Sequence, residues 1–262
     1  MQMKSVTSII LLFISPIVFA QTKRVTRETP QGTVKYFVLK SDKKIKTGSY
    51  EIYAENGPSV TVRGFYKDDL KDSLWQFFAQ QKLVAEEHYK NGNKCDIWTG
   101  YNRGFERLKY DPVKNDLSLY IPAKMDSMFN ITPLGMPPGA VLERHPIYLG
   151  GNYTIAYLLA SNIRYPATAR TQNKQGELTL TLSIDEEGNM ANCFIKDKLG
   201  YGLDNEVLRV AQMLPGSWVP AMAGGKKVAA QIDIPIAFEL NATEPRAHKP
   251  GQIVISAFSV MR

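Results

Sequence analysis

Residues 225–240 read Gly-Lys-Lys-Val-Ala-Ala-Gln-Ile-Asp-Ile-Pro-Ile-Ala-Phe-Glu-Leu. Val228, Ala230, Ile232, Ile234, Ile236, Phe238 and Leu240 fall at every second position. Unbroken alternation of this length is the pattern of a long strand with one buried face. Just upstream, Leu214-Pro215-Gly216-Ser217-Trp218-Val219-Pro220-Ala221 cannot continue a helix, because two prolines and a glycine interrupt it. A helix therefore stops, a tryptophan is held in a turn, and a long strand follows. Pro235 stands inside that strand without an N–H to give to a ladder, which predicts an edge strand. An edge strand is where an extended peptide can add.

Working back from the strand, Glu177 to Asp185 also alternates, with Leu178, Leu180, Leu182 and Ile184 on one face and Thr179, Thr181 and Ser183 on the other. Asp185-Glu186-Glu187-Gly188-Asn189 reads as a turn, and Met190 to Lys196 as the returning strand. Leu203, Val207, Val210 and Leu214 form one helical stripe. Tyr153 to Ile163 also has near-helical apolar spacing. Arg164-Tyr165-Pro166 breaks it, and Pro166 is placed to start a second short helix running to Arg170. The order helix, strand, strand, helix, strand predicts an α+β domain over residues 146–240: a three-stranded antiparallel sheet with its helices on one face.

The first half of the chain differs. Tyr66, Lys67, Lys71, Trp75 and Phe78 are followed at a constant offset by Tyr89, Lys90, Lys94, Trp98 and Tyr101. A fixed period of this size signals one small supersecondary unit stacked on its neighbours. Asn91-Gly92 and Asn56-Gly57 suit tight hairpins. The reading is an all-β row of hairpins, or a meander, over residues 21–120, with the aromatics supplying its apolar face. Residues 121–145 carry Pro122, Pro133, Pro137 and Pro138 with Gly135 and Gly139, the composition of a linker, and Pro146 follows it. Residues 241–262 contain an apolar run, Ile253 to Val260, either an added strand or a loose segment.

Lys4, the apolar run Ile9 to Val18 and the small-residue pattern Val18-Phe19-Ala20 mark residues 1–20 as a cleaved signal peptide, hence a secreted chain. The rival reading is a retained anchor, although the uncharged run is short for a span and contains Pro16. The net charge of +7 is scattered rather than clustered, which argues for general solubility and against nucleic-acid binding. Cys95 and Cys193 fall in different halves, and two unpaired thiols is the expectation. His88, His145 and His248 lack metal-ligand spacing, and Glu86-Glu87 beside His88 reads as the solvated edge of a strand. Asp185-Glu186-Glu187 reads as a charged turn rather than a calcium loop. No nucleophile motif or phosphate-cradling loop is present, so the sequence gives no support for an enzyme or a cofactor.

Two resemblances build on these residues. The pattern of aromatics, lysines and glycines from Gly64 to Tyr101 is similar to the MORN-like repeats of bacterial envelope proteins. It departs from them at Ser73 and Asp96, where those repeats place a glycine two residues before the tryptophan. The second half closely resembles the TonB C-terminal domain. The carrying residues are Asn162-Ile163-Arg164-Tyr165-Pro166-Ala167, Asp185 with Gly188, Gly202-Leu203-Asp204, Leu214-Pro215, Trp218 with Pro220, Gly225-Lys226, and Pro235-Ile236 with Phe238 and Leu240.

The second resemblance implies capture of an extended segment of an outer-membrane receptor or other envelope protein, by strand addition along Val228–Leu240. If Pro235 points its missing donor outward, Ala229, Gln231, Asp233, Ala237 and Glu239 share that side and, with Val228, form the expected partner-binding set. Tyr165, Pro166, Trp218, Pro220, Gly225 and Pro235 are the expected structural positions. Inner-membrane motor proteins would be partners only of an anchored form, making the chain a membrane-anchored energy transducer. A cell-wall-binding assembly module is the other alternative, and homodimer formation stays open.

Overall fold

In a computed structural model of the protein, residues 21–55, 57–124, 128–137, 139–241 and 249–258 are described. The signal-peptide reading of residues 1–20 lies outside them.

The first half is a single nine-stranded antiparallel meander. Its strands are β1 (Thr22–Thr29), β2 (Gly32–Leu39), β3 (Lys46–Tyr53), β4 (Val60–Lys67), β5 (Leu70–Ala79), β6 (Lys82–Lys90), β7 (Asn93–Asn102), β8 (Phe105–Asp111) and β9 (Asp116–Tyr120), each hydrogen-bonded to the next. Short turns join them, such as Asn91-Gly92, where both residues have positive φ (49° and 81°). Tyr36, Tyr50, Tyr66, Trp75, Tyr89, Trp98 and Tyr110 form a continuous ring-to-ring ladder across the strands, with centroids 5.2–6.5 Å apart.

The offset repeat has a physical origin. Lys71 on β5 sits over Trp75 at 4.4 Å, and Lys94 on β7 sits over Trp98 at 5.1 Å. Ser73 and Asp96, the two departures from glycine, adopt positive φ (60° and 53°) where the pairing of β5 with β4 and of β7 with β6 shifts register.

The second half is built on a five-stranded sheet rather than a three-stranded one. β12 (Gly176–Ile184) lies between β13 (Met190–Ile195) and β17 (Ala230–Leu240), all antiparallel, as the alternation predicts. Two further strands, β10 (Asn130–Pro133) and β18 (Ile253–Ala257), pair with the far side of β17. Helices α1 (Asn152–Asn162), α2 (Ala167–Thr171) and α3 (Leu203–Ala211) cover one face. The even-numbered side chains of β12 and β17, from Leu178 to Ile184 and Ile232 to Phe238, are almost wholly buried there with Ile155, Leu159, Leu203 and Val207.

The long strand read from 228 is broken at Ala229. β16 (Lys226–Val228) turns back through Gly224-Gly225 to pair with β15 (Ala221–Ala223), so Val228 lies opposite Ala221 and outside the main sheet.

The described part of residues 121–145 is tied to the second half. It contains β10, and the two halves pack directly on each other. β11 (Ile147–Tyr148) pairs with β14 (Trp218–Val219), and Ile147, Leu149 and Val219 join the apolar core of the meander. At Gly100 on β7 an added Cβ would stand 2.1 Å from the Leu149 carbonyl oxygen, so only glycine allows this approach.

Glu87 corrects the reading of a solvated strand edge. It is fully buried at the seam, where its carboxylate accepts from the Ser217 N–H at 2.7 Å and from the Tyr89 hydroxyl at 2.8 Å. Glu86, on the opposite face of the strand, accepts from Gln76 and Tyr101. At the rim, Lys94 reaches Asn189, Gln31 reaches the Gln212 carbonyl, and Glu55 pairs with Arg164 and Arg209. Cys95 and Cys193 are both free thiols.

Candidate functional site

The outer side of β17 is the site the sequence singles out. Its parity follows from the backbone. The Ala229 carbonyl accepts from the Leu134 N–H at 2.9 Å, and the Asn241 N–H donates to the Ala257 carbonyl at 3.0 Å. Backbone groups alternate sides along a strand, so odd-numbered residues of β17 face outward. On the other side, the Leu240 N–H turns back to the Gln175 side chain.

The odd-numbered set is thus on the predicted side, but the edge is not free. Asp233 and Gln231 lie opposite Asn130 and Thr132 of β10, antiparallel, and Ala237 and Glu239 lie opposite Val254 and Ser256 of β18, parallel. The alternation of residues 228–240 shows one buried face. It carries no information on what lies beside the strand, and two segments distant in sequence fill that place.

Pro235 stands where neither segment reaches. β10 covers positions 230–233 and β18 covers 236–240. The residue that cannot donate therefore falls in the gap between two short strands, where no donor is needed. The two segments meet end to end beside it: Gly251, φ 74°, precedes β18, and an added Cβ there would stand 2.8 Å from the Met128 carbonyl oxygen.

Side chains along the edge are committed to the sheet. Asp233 accepts from Thr181 at 2.7 Å and pairs with Lys196 at 2.6 Å. Ala237 and Glu239 are buried. Of β18, Ile253 and Ile255 point into the core, at 4% and 5% exposure, while Ser256 is exposed. The outer side of Ile236–Leu240 thus holds β18 as a parallel strand, with its apolar side chains buried at alternate positions.

The remaining predicted positions are structural. The Tyr165 ring meets Phe238 edge-on at 5.3 Å, and its hydroxyl donates to the Lys174 carbonyl. Pro166 caps α2. Trp218 is buried, with its backbone N–H donating to the Gly188 carbonyl and its ring against Tyr148. Pro220 offers its carbonyl to Arg144, and the Gly225 N–H, at φ 70°, donates to Glu143.

Sequence reasoning missed β10, whose four residues and terminal Pro133 give too short a pattern, and it left β18 open. Among the described residues no group of three or more His, Cys, Asp or Glu side chains could hold a metal, and no helix is long and apolar enough to cross a membrane.

Comparison with curated proteins and with solved structures finds no match. Residues 161–240 match the family described as Gram-negative bacterial TonB protein C-terminal. The matched stretch ends with β17, so the meander, β10 and β18 all lie outside it. The similarity to that C-terminal domain covers 80 of the 262 residues.

Proposed function

We propose that the protein is a non-catalytic, TonB-like envelope component that captures an extended segment of an outer-membrane partner by strand addition to β17, in the place that β18 occupies. The carrying observation is β18 itself. The outer side of Ile236–Leu240 already holds a five-residue strand from outside the matched family segment. In this reading β18 is an intramolecular placeholder, and a partner gains access by exchange with it. Partner binding is then weakened by the fraction of time the groove is closed. The proposed location is the periplasm, with residues 1–20 removed as a leader.

The test places a photo-cross-linking amino acid at position 239 of the full chain in a Gram-negative cell, with and without residues 249–262. The expected result is a covalent adduct with an outer-membrane receptor that increases when β18 is deleted. Cross-links confined to the chain itself in both forms would overturn the reading.

A further inference from the structure

A cavity of about 250 Å³ lies at the seam, remote from the edge of β17. One end of the meander forms three of its walls, through the β5–β6 turn, the β7–β8 turn and the chain leaving β9. The loop at Leu149–Gly151 and the first turn of α1 close the fourth. The floor is apolar, with Leu108 and Leu149 both 2% exposed.

The charge of the lining has one sign. Lys82, Arg103 and Arg107 line the cavity, and among the described residues no aspartate or glutamate does. Arg107 is the informative member. Its Nε is buried and has no hydrogen-bond partner among the described residues. Buried polar atoms are nearly always paired, and an unpaired guanidinium N–H is costly. Helix α1 adds to the same field. It begins at this wall with no side-chain cap and no acidic residue in its first turn.

We propose that this cavity binds a small amphiphilic carboxylate, with its anionic head on Arg107 and its apolar body over Leu108 and Leu149. The volume is below the roughly 300–1,000 Å³ of sites for drug-sized ligands. The guest is therefore a single ring or a short branched chain bearing one carboxylate. A guanidinium recognises that head by paired, charge-assisted hydrogen bonds. The site is independent of strand capture at β17 and stands or falls separately.

The experiment is isothermal titration calorimetry on residues 21–262 with phenylacetate, 3-phenylpropionate and 4-methylpentanoate, each against its neutral amide. The expected result is saturable binding of at least one acid, with its amide at least tenfold weaker, as loss of a charge-assisted hydrogen bond implies. Arg107→Met should abolish the preference for the acid, while Arg107→Lys retains part of it. Thermal unfolding checks that both variants remain folded, and the acid–amide comparison on the unaltered protein stands without them. Failure of all three acids to bind, equal binding of acid and amide, or an undiminished preference in folded Arg107→Met would overturn the proposal.

Discussion

The Glu87 carboxylate of strand β6 accepts a hydrogen bond from the backbone N–H of Ser217 at 2.7 Å, with Glu87 fully buried between the two halves of the molecule. The contact joins the meander to the turn that carries Trp218. The second carboxylate oxygen holds Tyr89, and Gly216 stands beside the first at 3.3 Å from its would-be Cβ. The burial that encloses Tyr89, together with Glu87, raises the tyrosine's pKa far above its ordinary value, so the hydroxyl remains a donor at physiological pH.

Glu87→Ala should therefore destabilise the whole chain. It leaves the Ser217 N–H and the Tyr89 hydroxyl unpaired in a buried place and opens a cavity, a loss of about 2–5 kcal/mol. Urea unfolding followed by tryptophan fluorescence measures this. A loss below about 1 kcal/mol would show that the seam does not depend on this carboxylate.

Ile255→Ala should loosen β18 without unfolding the sheet. Removing a buried isoleucine side chain costs about 2–5 kcal/mol, and β18 is hydrogen-bonded to a single neighbouring strand, β17. Amide exchange reads the effect by parity. Ala237 and Glu239, which face β18, should exchange at least about tenfold faster. Ile236 and Phe238, which face β12, should keep their protection. Equal acceleration of both sets would mean that the sheet opens as one unit.

Ser73→Gly and Asp96→Gly should each stabilise the meander, by about 0.5–1 kcal/mol. Both residues hold positive φ, 60° and 53°, where an L side chain costs about 1–2 kcal/mol. Part of that gain is offset by the greater freedom of glycine in the unfolded chain. Thermal melts of the single and double variants decide it. Destabilisation by either would mean that its side chain contributes more than its backbone strain removes.

Glu206 should make stability depend on acid pH. Burial pushes its carboxyl up, but hydrogen bonds from Arg209 and from the Arg164 N–H outweigh that and hold its pKa below the usual value. A depressed folded pKa gives stability that is fully present above the unfolded value of about 4.3 and is lost as pH falls through the folded one. Glu206→Gln should accordingly be about 1–3 kcal/mol less stable at pH 7. It should approach the unaltered protein at pH 3. A difference independent of pH would remove the charge from the explanation.

Much of the second half was legible because its strands bury one face. Leu178 to Ile184 and Ile232 to Phe238 alternate cleanly, and the even-numbered residues are the core. The turn at Asp185–Asn189 and the helix from Leu203 followed from equally local signals. Glu87 was misread because charge next to a histidine in a strand has the same local appearance in solvent and at a buried seam. Only its partner 130 residues away distinguishes the two.

The sequence by itself determined the long strands β12 and β17 and the helix from Leu203, and which side of each is apolar, since periodicity is a property of the local chain. The tertiary structure alone decided what lies beside β17, that the halves share a seam, and that Arg107 borders a pocket at that seam. These depend on segments far apart in sequence, and neither β10, of four residues, nor β18, of five, carries a local pattern that names its neighbour. A strand's hydrogen-bonding partner is set by what the rest of the chain brings to its edge.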